Sequence, residues 1–81
     1  MSNNKIIKSQ KKETIHFSIM GEYIELIKLL KVTGLSDTGG EAKAMVEGAR
    51  VTLNGQPEFR KRAKIRKGDK VEIHSHLIIV E

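Results

Sequence analysis

Asn54-Gly55 is the dipeptide that most limits what this chain can become. A two-residue connection of this composition accepts positive φ at both positions, and its twist matches a tight antiparallel hairpin. The flanks agree with that reading. Arg50 to Leu53 alternates, with Val51 and Leu53 inward and Arg50 and Thr52 outward. Gln56 to Phe59 returns, and Pro57 makes the returning strand brief or an edge.

Upstream of the hairpin the hydrophobic period changes. Thr14 to Met20 has Ile15, Phe17 and Ile19 on one face, the period-two pattern of a half-buried strand. Glu22 to Val32 places Tyr23, Leu26, Ile27 and Leu30 at helical spacing. Glu22 and Glu25 near its start and Lys28 and Lys31 near its end suit the helix dipole, and Gly34 follows as the left-handed terminator. A second helix opens on Thr38-Gly39-Gly40-Glu41, a capping box, with Ser36 as the alternative cap. Its apolar stripe is Ala42, Met45, Val46 and Ala49, and Gly48 ends it.

Downstream of the hairpin, Lys67-Gly68-Asp69 turns the chain into a strand, Lys70 to Ile73, with Val71 and Ile73 inward. His74-Ser75-His76 is read as another tight turn. Leu77 to Val80 is then a last apolar strand, central in the sheet or paired with the first. The elements predict an α+β fold, two helices packed on a small antiparallel sheet. The expected core is Ile15, Phe17, Leu26, Ile27, Leu30, Val46, Val51, Leu53, Val71, Ile73 and Ile78. Residues 1–12 are polar and basic apart from Ile6 and Ile7, and are expected to be a flexible tail ahead of one domain at 13–81.

Composition narrows the function. There is no cysteine among the 81 residues, which excludes disulfides and thiolate chemistry. No apolar run approaches the roughly 20 residues of a membrane span, and the N-terminus lacks the apolar centre of a secretory signal. A cytoplasmic monomer is the default expectation. His16, His74 and His76 have no fourth ligand at a telling spacing, so neither a metal nor another cofactor is expected. No nucleophile elbow, carboxylate pair or dinucleotide fingerprint is present, so the chain is not expected to be an enzyme.

Charge is where the sequence speaks most plainly. Phe59-Arg-Lys-Arg-Ala-Lys-Ile-Arg-Lys67 holds Arg60, Lys61, Arg62, Lys64, Arg66 and Lys67 and no acidic residue. The whole chain carries +5, so everything outside this stretch sums to −1. Such side chains repel one another unless an anion lies nearby, and arginine grips phosphate through paired N–H bonds. A nucleic-acid face is preferred over a merely solvated loop. Gly39 and Gly40 could open the first turn of the second helix to a phosphate. Without a following lysine and serine they form no phosphate loop, and loose capping or close helix packing is the preferred reading. With Phe17 and Tyr23 assigned to the core, only Phe59 remains for base stacking, which favours structured RNA or duplex read by backbone and shape.

The chain also carries, in order, Gly34-Leu35-Ser36, Glu41-Ala42-Lys43, Val46-Glu47-Gly48, Val51-Thr52-Leu53-Asn54-Gly55, Arg60-Lys61-Arg62 and Gly68-Asp69-Lys70-Val71-Glu72-Ile73. This succession resembles the S-four RNA-binding domain, named for the small-subunit ribosomal protein four, whose fold is called the alpha-L motif. The similarity runs from about Glu22 to Ile73 and is strongest to small stand-alone bacterial members without a catalytic domain. It implies RNA lying against the second helix and the loop after the hairpin. By position it implies Lys43 on the RNA-facing side of that helix, Arg50 at the hairpin base, and Arg60, Lys61, Arg62 and Lys64 in the loop. Where many members have an arginine after the helix-capping residue, this chain has Gly39. The leading expectation is a non-catalytic module on ribosomal or transfer RNA, with association to the ribosome as one setting. The alternative is an adaptor for DNA, or for a protein through Glu22, Glu25, Asp37 and Glu47.

Overall fold

The computed structural model describes residues 12–74 and 76–81. The expected tail therefore lies outside the described residues except for Lys12, whose ammonium donates to the His74 carbonyl at 2.7 Å. Ser75, the centre of the third expected turn, is also outside them.

The strands are β1 (Glu13–Phe17), β2 (Ile24–Glu25), β3 (Val51–Leu53), β4 (Gln56–Pro57), β5 (Lys64–Ile65), β6 (Lys70–Ile73) and β7 (His76–Val80), and the helices are α1 (Leu26–Val32) and α2 (Gly39–Glu47). Five strands form one sheet in the order β1-β7-β6-β3-β4, and β2 pairs with β5 in a separate ribbon. The hairpin forms at Asn54-Gly55, with φ of 52° and 86°, and sets Leu53 opposite Gln56. The last strand is interior to the sheet, between β6 and the first strand, and paired with both. Its pairing with the first is parallel, Glu13 beside His76 through Phe17 beside Val80. The sheet is thus mixed rather than purely antiparallel, because β7 reaches β1 across the whole length of the chain and not through a hairpin.

The helices bury Leu26, Leu29 and Leu30 from α1 and Ala42, Met45 and Val46 from α2 against Val51, Val71, Ile73, Ile78 and Val80. Every residue of the expected core belongs to this cluster or packs on it; Ile15, Phe17, Ile27 and Leu53 are the partly buried ones. Three expectations on the helices need correction. First, α1 starts at Leu26, not Glu22. Ile24 and Glu25 are extended against Lys64 and Ile65, so Tyr23 is 40% exposed instead of buried and Leu29 takes its place inside. Second, Ala49 leaves the α2 stripe. It is exposed, with φ of 62°, beyond the cap residue Gly48. Third, the capping box is shifted. Thr38 accepts from the Glu41 amide as expected, at 3.0 Å, but the Glu41 carboxylate accepts from Asp37 N–H instead of from Thr38 N–H. Ser36 does not cap; it is buried, and its hydroxyl has no partner among the described residues.

Candidate nucleic-acid interface

The basic stretch is a fixed loop. At its start, Glu58 is almost fully buried and its carboxylate accepts three hydrogen bonds from Arg60: the backbone N–H at 2.9 Å, Nε at 3.0 Å and Nη2 at 3.1 Å. The hydrogen bond from the Arg60 side chain, reinforced by its charge and by backbone donors, holds the Glu58 carboxyl below its ordinary value of 4.5 against the opposing effect of burial. The same bond raises Arg60. In mid-loop, the Ala63 carbonyl accepts from Leu26 N–H at 2.9 Å and the Lys61 carbonyl accepts from Ile27 N–H at 3.0 Å. These carbonyls take the free donors of the first turn of α1, which has no side-chain cap of its own. Ala63 and Ile65 sink into the core and anchor the loop to the body.

The far end is tied to the hairpin. Asn54 Nδ2 donates to Asp69 Oδ1 at 3.0 Å, Asn54 Oδ1 accepts from Lys70 N–H at 2.9 Å, and Asp69 Oδ2 accepts from Arg66 N–H at 2.8 Å. The two turns that bound the loop therefore lock each other. Repulsion among six cations is borne by a backbone held at both ends and in the middle, so the backbone that carries the charges is ordered in advance of any ligand.

The cations are not equivalent. Arg60 is engaged with Glu58, and Arg62 stands 3.6 Å from Glu25 in an exposed pair of small energetic weight. Lys61, Lys64, Arg66 and Lys67 have no salt-bridge partner among the described residues. Arg60, Arg62, Ala63 and Lys64 line one shallow cavity of about 420 Å³. Lys64, together with Arg66, also lies over Tyr23, with Nζ and Cζ at 5.0 and 5.7 Å from the ring centre. Lys43 is exposed on α2 and Arg50 is exposed just before β3. Among the described residues no hydrogen bond or ion pair links either of them to the loop; the helix bonded directly to the loop is α1.

Sequence reasoning missed Tyr23, Glu25 and Glu58. The signal for the first two was present: no Ser, Thr, Asp or Asn stands immediately before Leu26, so the cap of that helix had to come from elsewhere in the fold. For Glu58 the only signal is a carboxylate two residues before Arg60. The histidines lie apart from this surface. His16 contacts the Glu81 carboxylate, and His76 Nε2 is 3.3 Å from that of Glu13. Among the described residues no three His, Cys, Asp or Glu side chains group as a metal site, and no helix is long and apolar enough to cross a membrane.

Comparison with known proteins places these features. The model of the S4 domain matches residues 17–81. Putative RNA-binding protein YbcJ of Escherichia coli (strain K12) is 38% identical over 58 residues, covering 72% of this chain and 83% of that protein. A protein of Shigella flexneri, Uncharacterized protein YbcJ, matches to the same extent. The solution structure of YbcJ from E. coli, described as revealing an alpha-L motif involved in RNA binding, superposes with a TM-score of 0.60. Its identity is 36%, and the match covers 79% of this chain and 85% of that one.

Proposed function

The chain belongs to the S4 domain family, and on that premise we propose that it is a non-catalytic module that docks on structured RNA. Ribosomal or transfer RNA is the expected target and the cytoplasm the expected setting, with the protein acting as a monomer. The observation that carries the reading is the pre-ordered loop, in which Lys61, Lys64, Arg66 and Lys67 have no carboxylate partner among the described residues. The name of the E. coli relative and the description of its structure support RNA as the polyanion. Arg60 and Arg62 extend the same surface while giving part of their charge to Glu58 and Glu25. Lys43 and Arg50 belong to the interface by their family positions.

Docking is electrostatic. Each neutralised phosphate releases counterions, and phosphate contacts set orientation without reading sequence. Neutralising roughly four to six phosphates gives a slope of log affinity on log salt of about −3 to −5. The test titrates a folded ribosomal RNA fragment, a transfer RNA and a DNA duplex with wild type and with the Lys61→Ala/Lys64→Ala/Lys67→Ala variant. The variant should flatten the slope by about 2 to 3 and weaken both RNAs by similar factors. Unchanged affinity and slope for the variant would remove the loop from the site. Tightest binding to the duplex would favour a DNA adaptor.

A further inference from the structure

Tyr23 stands where neither the core nor the loop needs it. The ring is 40% exposed and carries Lys64 and Arg66 against it. It forms a shared wall between two concavities. One, of about 310 Å³, is lined by Tyr23, Ile24, Glu25 and Lys28. The other, of about 430 Å³, has an apolar lining that includes Phe17, Met20, Tyr23, Ile24 and Val32, with Lys28 at its edge. Met20 is 92% exposed and Val32 53%, so the floor of this groove faces water in the free protein. A contiguous exposed apolar patch of this kind marks a binding surface.

The rim selects the occupant. Lys28 lines the apolar concavity, and Lys64 and Arg66 stand over the Tyr23 ring that forms one of its walls. The one carboxylate among the lining residues of the two concavities, Glu25, already faces Arg62. An apolar peptide or a second copy of the chain would leave these cations uncompensated. A nucleotide has both required parts, a flat base with an apolar face and an adjoining anion. Bases inside a helix are stacked and cannot reach such a groove; an unpaired one can. Resting on the RNA-binding reading above, we infer that the Tyr23 groove takes an unstacked base. The ligand of this protein is then a structured RNA with an unpaired nucleotide beside its helix. The base stacks on the Tyr23 ring over the Met20–Val32 floor, and Lys64 and Arg66 turn from the ring to the flanking phosphates.

Tyr23 is the single tyrosine and there is no tryptophan, so intrinsic emission reports this ring alone. Two hairpin RNAs of equal length are titrated, one fully paired and one with a single-nucleotide bulge. Saturation with the bulged RNA should quench the emission, and the paired RNA should bind without doing so. Tyr23→Ala should weaken the bulged RNA by roughly 5- to 150-fold, the range set by stacking of one base on an aromatic side chain, and leave the paired RNA unaffected. Tyr23→Phe should retain the bulged-RNA affinity, and equal melting temperatures for the variants exclude a folding defect. Equal quenching by both RNAs, or equal weakening of both by Tyr23→Ala, overturns the base site and leaves the RNA-binding reading intact. Failure of both RNAs to bind wild type overturns both. An emission change that follows protein concentration without RNA assigns the groove to a second copy. One that follows removal of residues 1–11 without RNA assigns it to the N-terminal segment of the chain. Either result overturns the inference.

Discussion

Replacing Ala49 by glycine should stabilise the protein, and since Ala49 is exposed the change takes no methyl group from the core. The two helices end in the same way. After α1, Gly34 N–H donates to the Lys31 carbonyl at 3.0 Å and Leu35 N–H to the Leu30 carbonyl at 3.0 Å. After α2, Ala49 N–H donates to the Val46 carbonyl and Arg50 N–H to the Met45 carbonyl, both at 3.2 Å. Both are Schellman terminations, which turn on one left-handed residue. At α1 that residue is Gly34, with φ of 82°; at α2 it is Ala49, with φ of 62°. An L-residue there costs about 1–2 kcal/mol, and glycine gives back about 0.5–1 kcal/mol through the freedom of the unfolded chain. Ala49→Gly should therefore gain about 0.5–1 kcal/mol, worth about 2–8 °C in melting temperature for a domain of this size. Gly34→Ala is the mirror experiment and should lose a comparable amount. Filling the neighbouring Gly48 with alanine would bring no gain, since a Cβ there would lie 3.0 Å from the Ala44 carbonyl. Urea melts with an unchanged m-value measure both changes. If Ala49→Gly lowers the midpoint while Gly34→Ala leaves it in place, the left-handed positions are not where the strain lies.

Two further outcomes follow from the core and from the loop anchor. Leu26 is fully buried at the junction of α1 with the loop, and Leu26→Ala should cost about 2–5 kcal/mol in denaturant unfolding; an unchanged midpoint would contradict the helix register. The Glu58 carboxyl is held below 4.5 in the folded state, so the unfolded chain takes up its proton first as pH falls. Its contribution is complete above that ordinary value and is lost as pH falls through the lowered one. Glu58→Gln should thus be less stable than wild type at neutral pH, and the gap should close on acidification; a gap independent of pH would show that this carboxylate does not brace the loop.

Periodicity and turn chemistry were enough to locate the hairpin, α2 and the inward faces of β3 and β6, because each is decided by neighbours in sequence. Thr38 capped where its spacing with Glu41 indicated. What could not be read was decided by partners far along the chain. Tyr23 fits a helical stripe with Leu26, Ile27 and Leu30, yet Ile24 and Glu25 are claimed by β5, some 40 residues on. Ala49 continued the α2 stripe in spacing, but the chain has to reverse there to enter β3. The parallel register of β1 and β7 has no local signature. Within the candidate site, the charge run was plain in the sequence. Its division into Arg60 and Arg62, which have acidic partners, and Lys61, Lys64, Arg66 and Lys67, which have none among the described residues, depends on Glu58 and Glu25.

The parallel pair of β1 and β7 also orders events in time. Glu13 and His76 are neighbours in the sheet but 63 residues apart in the chain, so this edge is the costliest contact to close and the last that synthesis permits. Most of what shapes the basic loop lies between Ile24 and Lys70 and precedes β7; only the closing turn waits for it, through the bonds of Gly68 and Asp69 with Val80. A nascent chain thus holds most parts of its cationic face while β1 still waits for β7.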